Sequence, residues 1–224
     1  MDEATSIDYV ALNTLQSHAE QDTFTRARYR QMSGVLEGTG LRVLDVGCAT
    51  GRGGAALKAA RPDITIIGLD CIQGRLDALP ADAYEGSICS SSCSIGAQNS
   101  SFDAIVAGEF IEHLTYRDAL VTLDEFHRVL KPAGTLVMTT PYPNYLRNLV
   151  RDRTTAVGAH LSAHYPKQLR VMMRDAGFGD IRFRGSGNMT RVIGQRLPVM
   201  SLYGSFMIWG RALAGAQFAT SASA

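Results

Sequence analysis

No apolar run in this sequence is long enough to cross a bilayer without interruption. The longest, Leu197 to Ala219, is broken by Pro198, by glycines and by Arg211. It predicts no transmembrane helix, and peripheral contact with a membrane surface is the most it allows. Residues Met1 to Glu20 are polar and lack the apolar segment of a secretory signal. Cysteine is scarce: Cys48, Cys71, Cys89 and Cys93 are the four present. They suggest no disulfide framework, and Cys89-x-x-x-Cys93 lacks the second ligand pair of a zinc module. These absences together point to the cytoplasm. Charge of one sign is lacking too, with 22 Lys and Arg against 21 Asp and Glu. No basic tail is present, so a nucleic-acid partner is not expected. What remains, 46% hydrophobic and 19% charged residues over 224 positions, is ordinary for one globular domain.

The near-neutral total hides an asymmetry. Residues 1–146 carry 11 Lys and Arg against 18 Asp and Glu, whereas residues 147–196 carry 10 against 3. A basic second half attracts an anionic acceptor; it is equally a solvated face balancing the acidic half.

The most informative stretch is Val43-Leu44-Asp45-Val46-Gly47-Cys48-Ala49-Thr50-Gly51-Arg52-Gly53. It reads as a buried strand running into a glycine-rich turn, then a helix of small residues. Glycines permit left-handed backbone angles and close approach of a ligand, and the helix start offers unpaired N–H groups. Such a unit holds a nucleotide-like molecule. Dinucleotide sites use G-x-G-x-x-G around a pyrophosphate. Here the spacing differs, and Asp45 is unfavourable beside a pyrophosphate but suits a cationic ligand. S-adenosylmethionine has an ammonium and a sulfonium and no phosphate. Asp70, about 20 residues past the loop and ending the apolar run Ile64 to Leu69, is placed for ribose hydroxyls.

Three segments in order carry a family resemblance: the loop at 43–53, the Phe102-Asp103 strand leading to Gly108-Glu109-Phe110-Ile111-Glu112-His113-Leu114, and Arg128-Val129-Leu130-Lys131-Pro132-Ala133-Gly134. They resemble the motifs of class I S-adenosylmethionine-dependent methyltransferases, from about Leu41 to Pro141, with Ala49 replacing a common glycine. The resemblance implies that Asp45, Gly47, Ala49, Gly51, Asp70, Cys71, Ser87 and Glu109 bind S-adenosylmethionine. It also implies a seven-stranded, doubly wound α/β Rossmann-like sheet, mostly parallel, with an antiparallel last strand and helices on both faces. Where relatives have an acidic residue and a Leu-Pro pair near the adenine, this chain has Ser87-Ile88-Cys89-Ser90.

Hydrophobic patterning predicts strands near 41–46, 64–69, 84–88, 102–107, 134–140, 179–184 and within 205–211. Helices are predicted near 52–61, 72–79, 116–130 and 167–176, and the alternation implies a parallel sheet. Thr115-x-x-Asp118 reads as a capping box. The expected organisation is an N-terminal helical cap over 1–40, broken near Thr23, and a methyltransferase domain over 41–212. Within the domain, an acceptor-shaping segment spans about 141–166; a flexible tail follows over 213–224. No feature specifies an oligomeric state.

Methyl transfer to a hydroxyl requires alignment and removal of a proton, by a base or a metal. The expected bases are His113, His160 and His164. Glu109-x-x-Glu112-His113, read as a helix, places three ligands on one face. With His160 or His164 they resemble the metal site of small-RNA 2′-O-methyltransferases and of some ubiquinone-pathway O-methyltransferases, which hold a divalent ion such as Mg or Mn. The same letters can simply shape the start of a helix. The leading reading is a methyltransferase, O-directed, acting on a small-molecule or glycan-type acceptor. The alternatives are an RNA 2′-O-methyltransferase and a non-catalytic S-adenosylmethionine-binding protein.

Overall fold

The computed structural model describes residues 7–14, 23–146 and 160–215, with the side chain of Arg191 excepted. The flexible tail expected over 213–224 therefore lies outside the described residues from 216 onward, as does most of the arginine-rich part of the acceptor-shaping segment.

The elements in order are α1 (Tyr9–Thr14), α2 (Thr25–Ser33), β1 (Arg42–Val46), α3 (Arg52–Ala60), β2 (Thr65–Asp70), α4 (Gln73–Leu76) and β3 (Gly86–Cys89). Then come β4 (Phe102–Gly108), a 3₁₀ turn (Ile111–His113), α5 (Tyr116–Val129), β5 (Leu130–Pro141), α6 (Pro166–Asp175) and β6 (Phe178–Ser186). Helix α7 (Thr190–Ile193), a 3₁₀ turn (Met200–Leu202) and β7 (Ser205–Ala212) complete the elements of the described residues. The seven strands form one sheet in the order β3-β2-β1-β4-β5-β7-β6. Strand β7 runs antiparallel to both β5 and β6, and the other neighbours pair parallel. This is the expected doubly wound sheet. Its strand order reverses between β1 and β4, so the crevice for a ligand opens at their carboxyl ends.

Both faces of the sheet are covered, which is why its central strands read as continuous apolar runs. Leu44, Val46, Ile105, Leu136 and Met138 pack on one face with Leu123, Phe126 and Leu169 from α5 and α6. Val43, Ala104, Val106 and Val137 pack on the other with Tyr29 and Met32 of α2 and Leu57 of α3. The cap helix α2 is thus part of the second core layer. Helix α1 has no buried residue; it is held by Tyr9, whose hydroxyl bonds Asp118 and accepts from Thr115 N at 3.1 Å.

Several motif residues turn out to be architectural. Asp103 accepts from Arg42 N at 2.9 Å and from Lys131 Nζ at 2.8 Å, which joins the starts of β1 and β5. Arg128 spreads its guanidinium over Glu125, the carbonyls of Ala97 and Ile95, and Asn99. That pins the Ser- and Cys-rich loop leading into β4. At Thr115 the side chain caps α5 by accepting from Asp118 N at 3.1 Å. The box is not reciprocal, because Tyr9 takes Thr115 N.

Candidate functional site

The glycine loop follows β1 directly. Gly47 and Gly51 adopt φ of 65° and 85°, and Ala49 is left-handed as well, at 47°. Gly47 N and Cys48 N both donate to Leu69 O, at 2.8 and 3.1 Å, so the turn is stitched to the end of β2. Asp70 completes this stitch: Oδ2 accepts from Ala49 N at 3.1 Å and Oδ1 from Ile72 N at 3.0 Å. Arg75 Nη1 lies 3.7 Å from the same carboxylate, and its Nη2 donates to Asn13 O of α1 at 2.6 Å. Cys71 is half-buried beside it. Ser87 is exposed within β3 opposite Gly68, two residues before the carboxyl end of the strand.

Asp45 sits differently from a residue offered to a ligand. It is fully buried on the α2–α3 face. Tyr29 Oη donates to Oδ1 at 2.7 Å and Tyr84 Oη to Oδ2 at 2.5 Å. Burial raises its pKa to about 6, against the lowering effect of the two tyrosine hydrogen bonds. The glycines explain how the rings fit. A Cβ on Gly53 meets Tyr29 at 2.3 Å, and one on Gly54 meets Tyr84 at 2.0 Å. So part of the glycine content makes room for two tyrosines. Neither Tyr29 nor Tyr84 is conspicuous in the sequence; the adjacent Gly53-Gly54 at a helix start was the one local sign that bulky groups pack there.

The Glu109-x-x-Glu112-His113 stretch is not a helix. Glu109 takes φ 53° directly after β4, and a single 3₁₀ turn over Ile111–His113 follows. The helical face expected from the spacing therefore does not form, and Glu109 does not join Glu112 and His113. Glu109 N is fixed by Thr139 O and Oγ1 at 3.0 and 3.1 Å. Its carboxylate lies 3.4 Å from Arg28 Nε of α2, and Ser205 Oγ donates to Oε2 at 3.2 Å. Arg28 is itself buried and had not been singled out from the sequence.

Glu112 instead turns inward. Its Oε2 accepts from Thr140 Oγ1 at 3.0 Å, and Oε1 has no hydrogen-bond partner among the described residues. Burial, reinforced by the charge of Glu109, holds its pKa well above the usual carboxylate range. The segment 160–164 folds back onto this turn, with Leu161 N and Ser162 N both donating to Glu112 O at 2.8 and 3.1 Å. That brings His160 against His113, ring centroids 4.9 Å apart and edge to face. Glu112, His113 and His160 each offer a ligand atom within 4.8 Å of the others. The converging set thus includes His160 and leaves out Glu109 and His164. His164 is fully buried, its Nε2 2.8 Å from Ser162 Oγ, and burial lowers its pKa. A pocket opens beside the cluster, with Glu112, Thr140, His160 and Ser162 as its polar wall and Pro141, Pro143 and Leu161 as its apolar wall.

The stacked arginines of the basic half do not share a face. Arg170 lies over Phe183 and Arg184 over Trp209, each at 4.9 Å; the adjacent positions 183 and 184 on β6 point to opposite sides of the sheet. No helix among the described residues is long and apolar enough to cross a membrane.

Comparison with known proteins agrees with this architecture. The chain is 30% identical over 146 residues to the demethylmenaquinone methyltransferase of Lactococcus lactis, covering 62% of this chain and 56% of that protein. It is 27% identical over 111 residues to the mitochondrial ubiquinone biosynthesis O-methyltransferase of Mus musculus, covering 46% and 29%. The chain spans between a fifth and just over half of the length of the curated relatives it matches. A methyltransferase of Haloferax volcanii, solved with its Trm112 activator, superposes with a TM-score of 0.69 at 17% identity, covering 93% of this chain and 97% of that one. Residues 44–138 match the family model described as a methyltransferase domain. The chain thus has the fold of that methyltransferase, and its residues 44–138 are similar to a methyltransferase domain.

Proposed function

We propose that this protein transfers a methyl group to a hydroxyl of a small-molecule or glycan-type acceptor lodged against Glu112, His113 and His160. The observation that carries the reading is the convergence of one buried carboxylate and two imidazoles on a pocket lined by Thr140 and Ser162. A hydroxyl nucleophile has a proton to lose, and this cluster can take it. A neutral amine, which attacks through its lone pair, has less need of it.

Bound S-adenosylmethionine supplies an electrophilic methyl on its sulfonium. The residues present fit that donor: left-handed Gly47 and Gly51 at the switch point, Asp70 at the end of β2, and opposite charges on Arg28 and Glu109 beside the loop. The chain's own part is alignment and proton removal. His160 lines the pocket and is the residue placed to accept the acceptor's proton, with His113 against its ring. His164 acts through Ser162, orienting a hydroxyl that lines the same wall.

The cluster also fits a divalent metal, because Glu112 Oε1 is buried and has no hydrogen-bond partner among the described residues. Two imidazoles with one carboxylate suit Mn or Zn better than Mg, which favours an all-oxygen set. A metal held there by Glu112, His113 and His160 would lower the pKa of a coordinated hydroxyl.

The test is methyl transfer from labelled donor to a panel of hydroxylated small molecules and glycans. His160→Ala and Glu112→Gln are expected to abolish transfer while leaving donor binding unchanged. Tight donor binding with no transfer to any hydroxyl acceptor favours the non-catalytic reading. Turnover that survives EDTA and the Glu112→Ala change removes the metal.

A further inference from the structure

We infer that the connection between β6 and β7, residues 187–204, docks this protein on an anionic lipid surface, with Val192, Leu197 and Val199 entering the headgroup layer and Arg196 meeting its charge. The apolar run from Leu197 to Ala219 divides in the fold. Its middle is strand β7, where Phe206, Met207 and Ile208 are fully buried. Its start is not: Leu197 is 39% and Val199 47% exposed, and Val192 on α7 is 78% exposed. Arg196 and Pro198 are exposed with them.

This aliphatic tip is built into the fold. Tyr203 is fully buried, and its hydroxyl donates to Gly194 O at 2.9 Å and accepts from Leu197 N at 3.2 Å. Both sides of the turn over 194–197 therefore hang on one group. Gly185 of β6 leaves room for that ring, since a Cβ there falls 2.3 Å from it, and Gly185 N donates to Gln195 O at 3.2 Å. At the start of the connection Gln31 of α2 donates to Thr190 Oγ1 and accepts from Ser186 Oγ, each at 2.9 Å. A connection tied in this way holds its aliphatic groups in water, at a cost that contact with an apolar phase removes.

Charge decides the partner. After Asp180 the sequence contains no acidic residue, while Arg182, Arg184, Arg191, Arg196 and Arg211 follow. Exposed aliphatic groups with only positive charge around them in the chain match an anionic bilayer surface. There the side chains bury apolar area at the acyl boundary and each arginine gains the surface potential. A second copy of the chain would set like charges against each other. Protein interfaces draw on exposed aromatic anchors, and the single aromatic of residues 187–204, Tyr203, faces inward. Pro141 of the pocket wall pairs with Ser205, and Tyr142 N donates to Gly204 O at 3.0 Å. The docking surface and the acceptor pocket thus share one end of the sheet.

The experiment is flotation of the full chain with vesicles of phosphatidylcholine alone and of phosphatidylcholine mixed with phosphatidylglycerol; its readout is independent of methyl transfer. The wild type should bind the mixed vesicles about tenfold or more tightly than the neutral ones, and high salt should erase the difference. Leu197→Asp combined with Val199→Asp should weaken binding to the mixed vesicles about tenfold or more. Arg196→Glu should reduce the preference for anionic lipid about fivefold or more. These side chains are exposed, and an unchanged urea midpoint verifies that the variants fold. A wild type that binds neither kind of vesicle overturns the inference, and that outcome needs no variant. Vesicle binding that survives the paired change in folded protein places the contact elsewhere and overturns it too. So does self-association in sedimentation velocity, without vesicle binding, that the paired change abolishes; the tip then belongs to a second copy.

Discussion

The hydroxyl of Tyr29 donates to Asp45 Oδ1 across 2.7 Å, so the acid of the glycine-loop motif is held by a helix that precedes the domain. Tyr84 holds the other oxygen. Replacing Tyr29 by Phe leaves one oxygen of a buried carboxylate without its donor. The expected loss is about 1–3 kcal/mol, read as a lower urea midpoint at unchanged slope. A midpoint equal to wild type means that Asp45 finds another donor there.

Asp45 also gives stability a pH dependence of definite sign. Its folded pKa of about 6 lies above the ordinary 3.8. Its contribution is therefore fully present below pH 3.8 and is lost as pH rises through 6, by about 3 kcal/mol in all. His164, with a lowered pKa, acts in the opposite sense, its contribution being lost as pH falls. The difference between wild type and Asp45→Asn isolates the first effect. Between about pH 4 and 6 the wild type should lose stability relative to the variant. Parallel curves would show that Asp45 keeps an ordinary pKa.

Gly53→Ala should destabilise although alanine is the better helix former. The new methyl falls 2.3 Å from the Tyr29 ring, and overpacking of about 1–3 kcal/mol outweighs the roughly 1 kcal/mol gain in helix propensity. In a Tyr29→Leu background the same change should become neutral or favourable. A double-mutant cycle with no coupling energy refutes the packing argument.

Asp70→Ala should weaken S-adenosylmethionine binding about tenfold or more, by calorimetry. Its carboxylate closes the loop through Ala49 N and stands at the end of β2. Affinity unchanged from wild type would place the ribose elsewhere.

Much of the fold was legible because local chemistry repeats with the period of its element. The strands announced themselves as apolar runs ending in turn residues, and Thr115 marked the start of α5. The Glu109–His113 spacing misled because a period of 3.6 applies only inside a helix. These residues leave a strand through a left-handed position and one 3₁₀ turn, and the helix begins only at Tyr116.

The loop at Val43 to Gly53 carried its turn in its own letters, since left-handed glycines and a strand-end acid are local features. What each acid faces was decided by the fold. Tyr29 and Tyr84 reach Asp45 from 16 and 39 residues away, and Arg28 reaches Glu109 from helix α2. Of the two histidines offered by the sequence, His160 stands beside Glu112 because two backbone N–H groups of the returning segment bond one carbonyl. No spacing rule links such residues. They meet because the sheet must bury both faces and every buried polar group must find a partner.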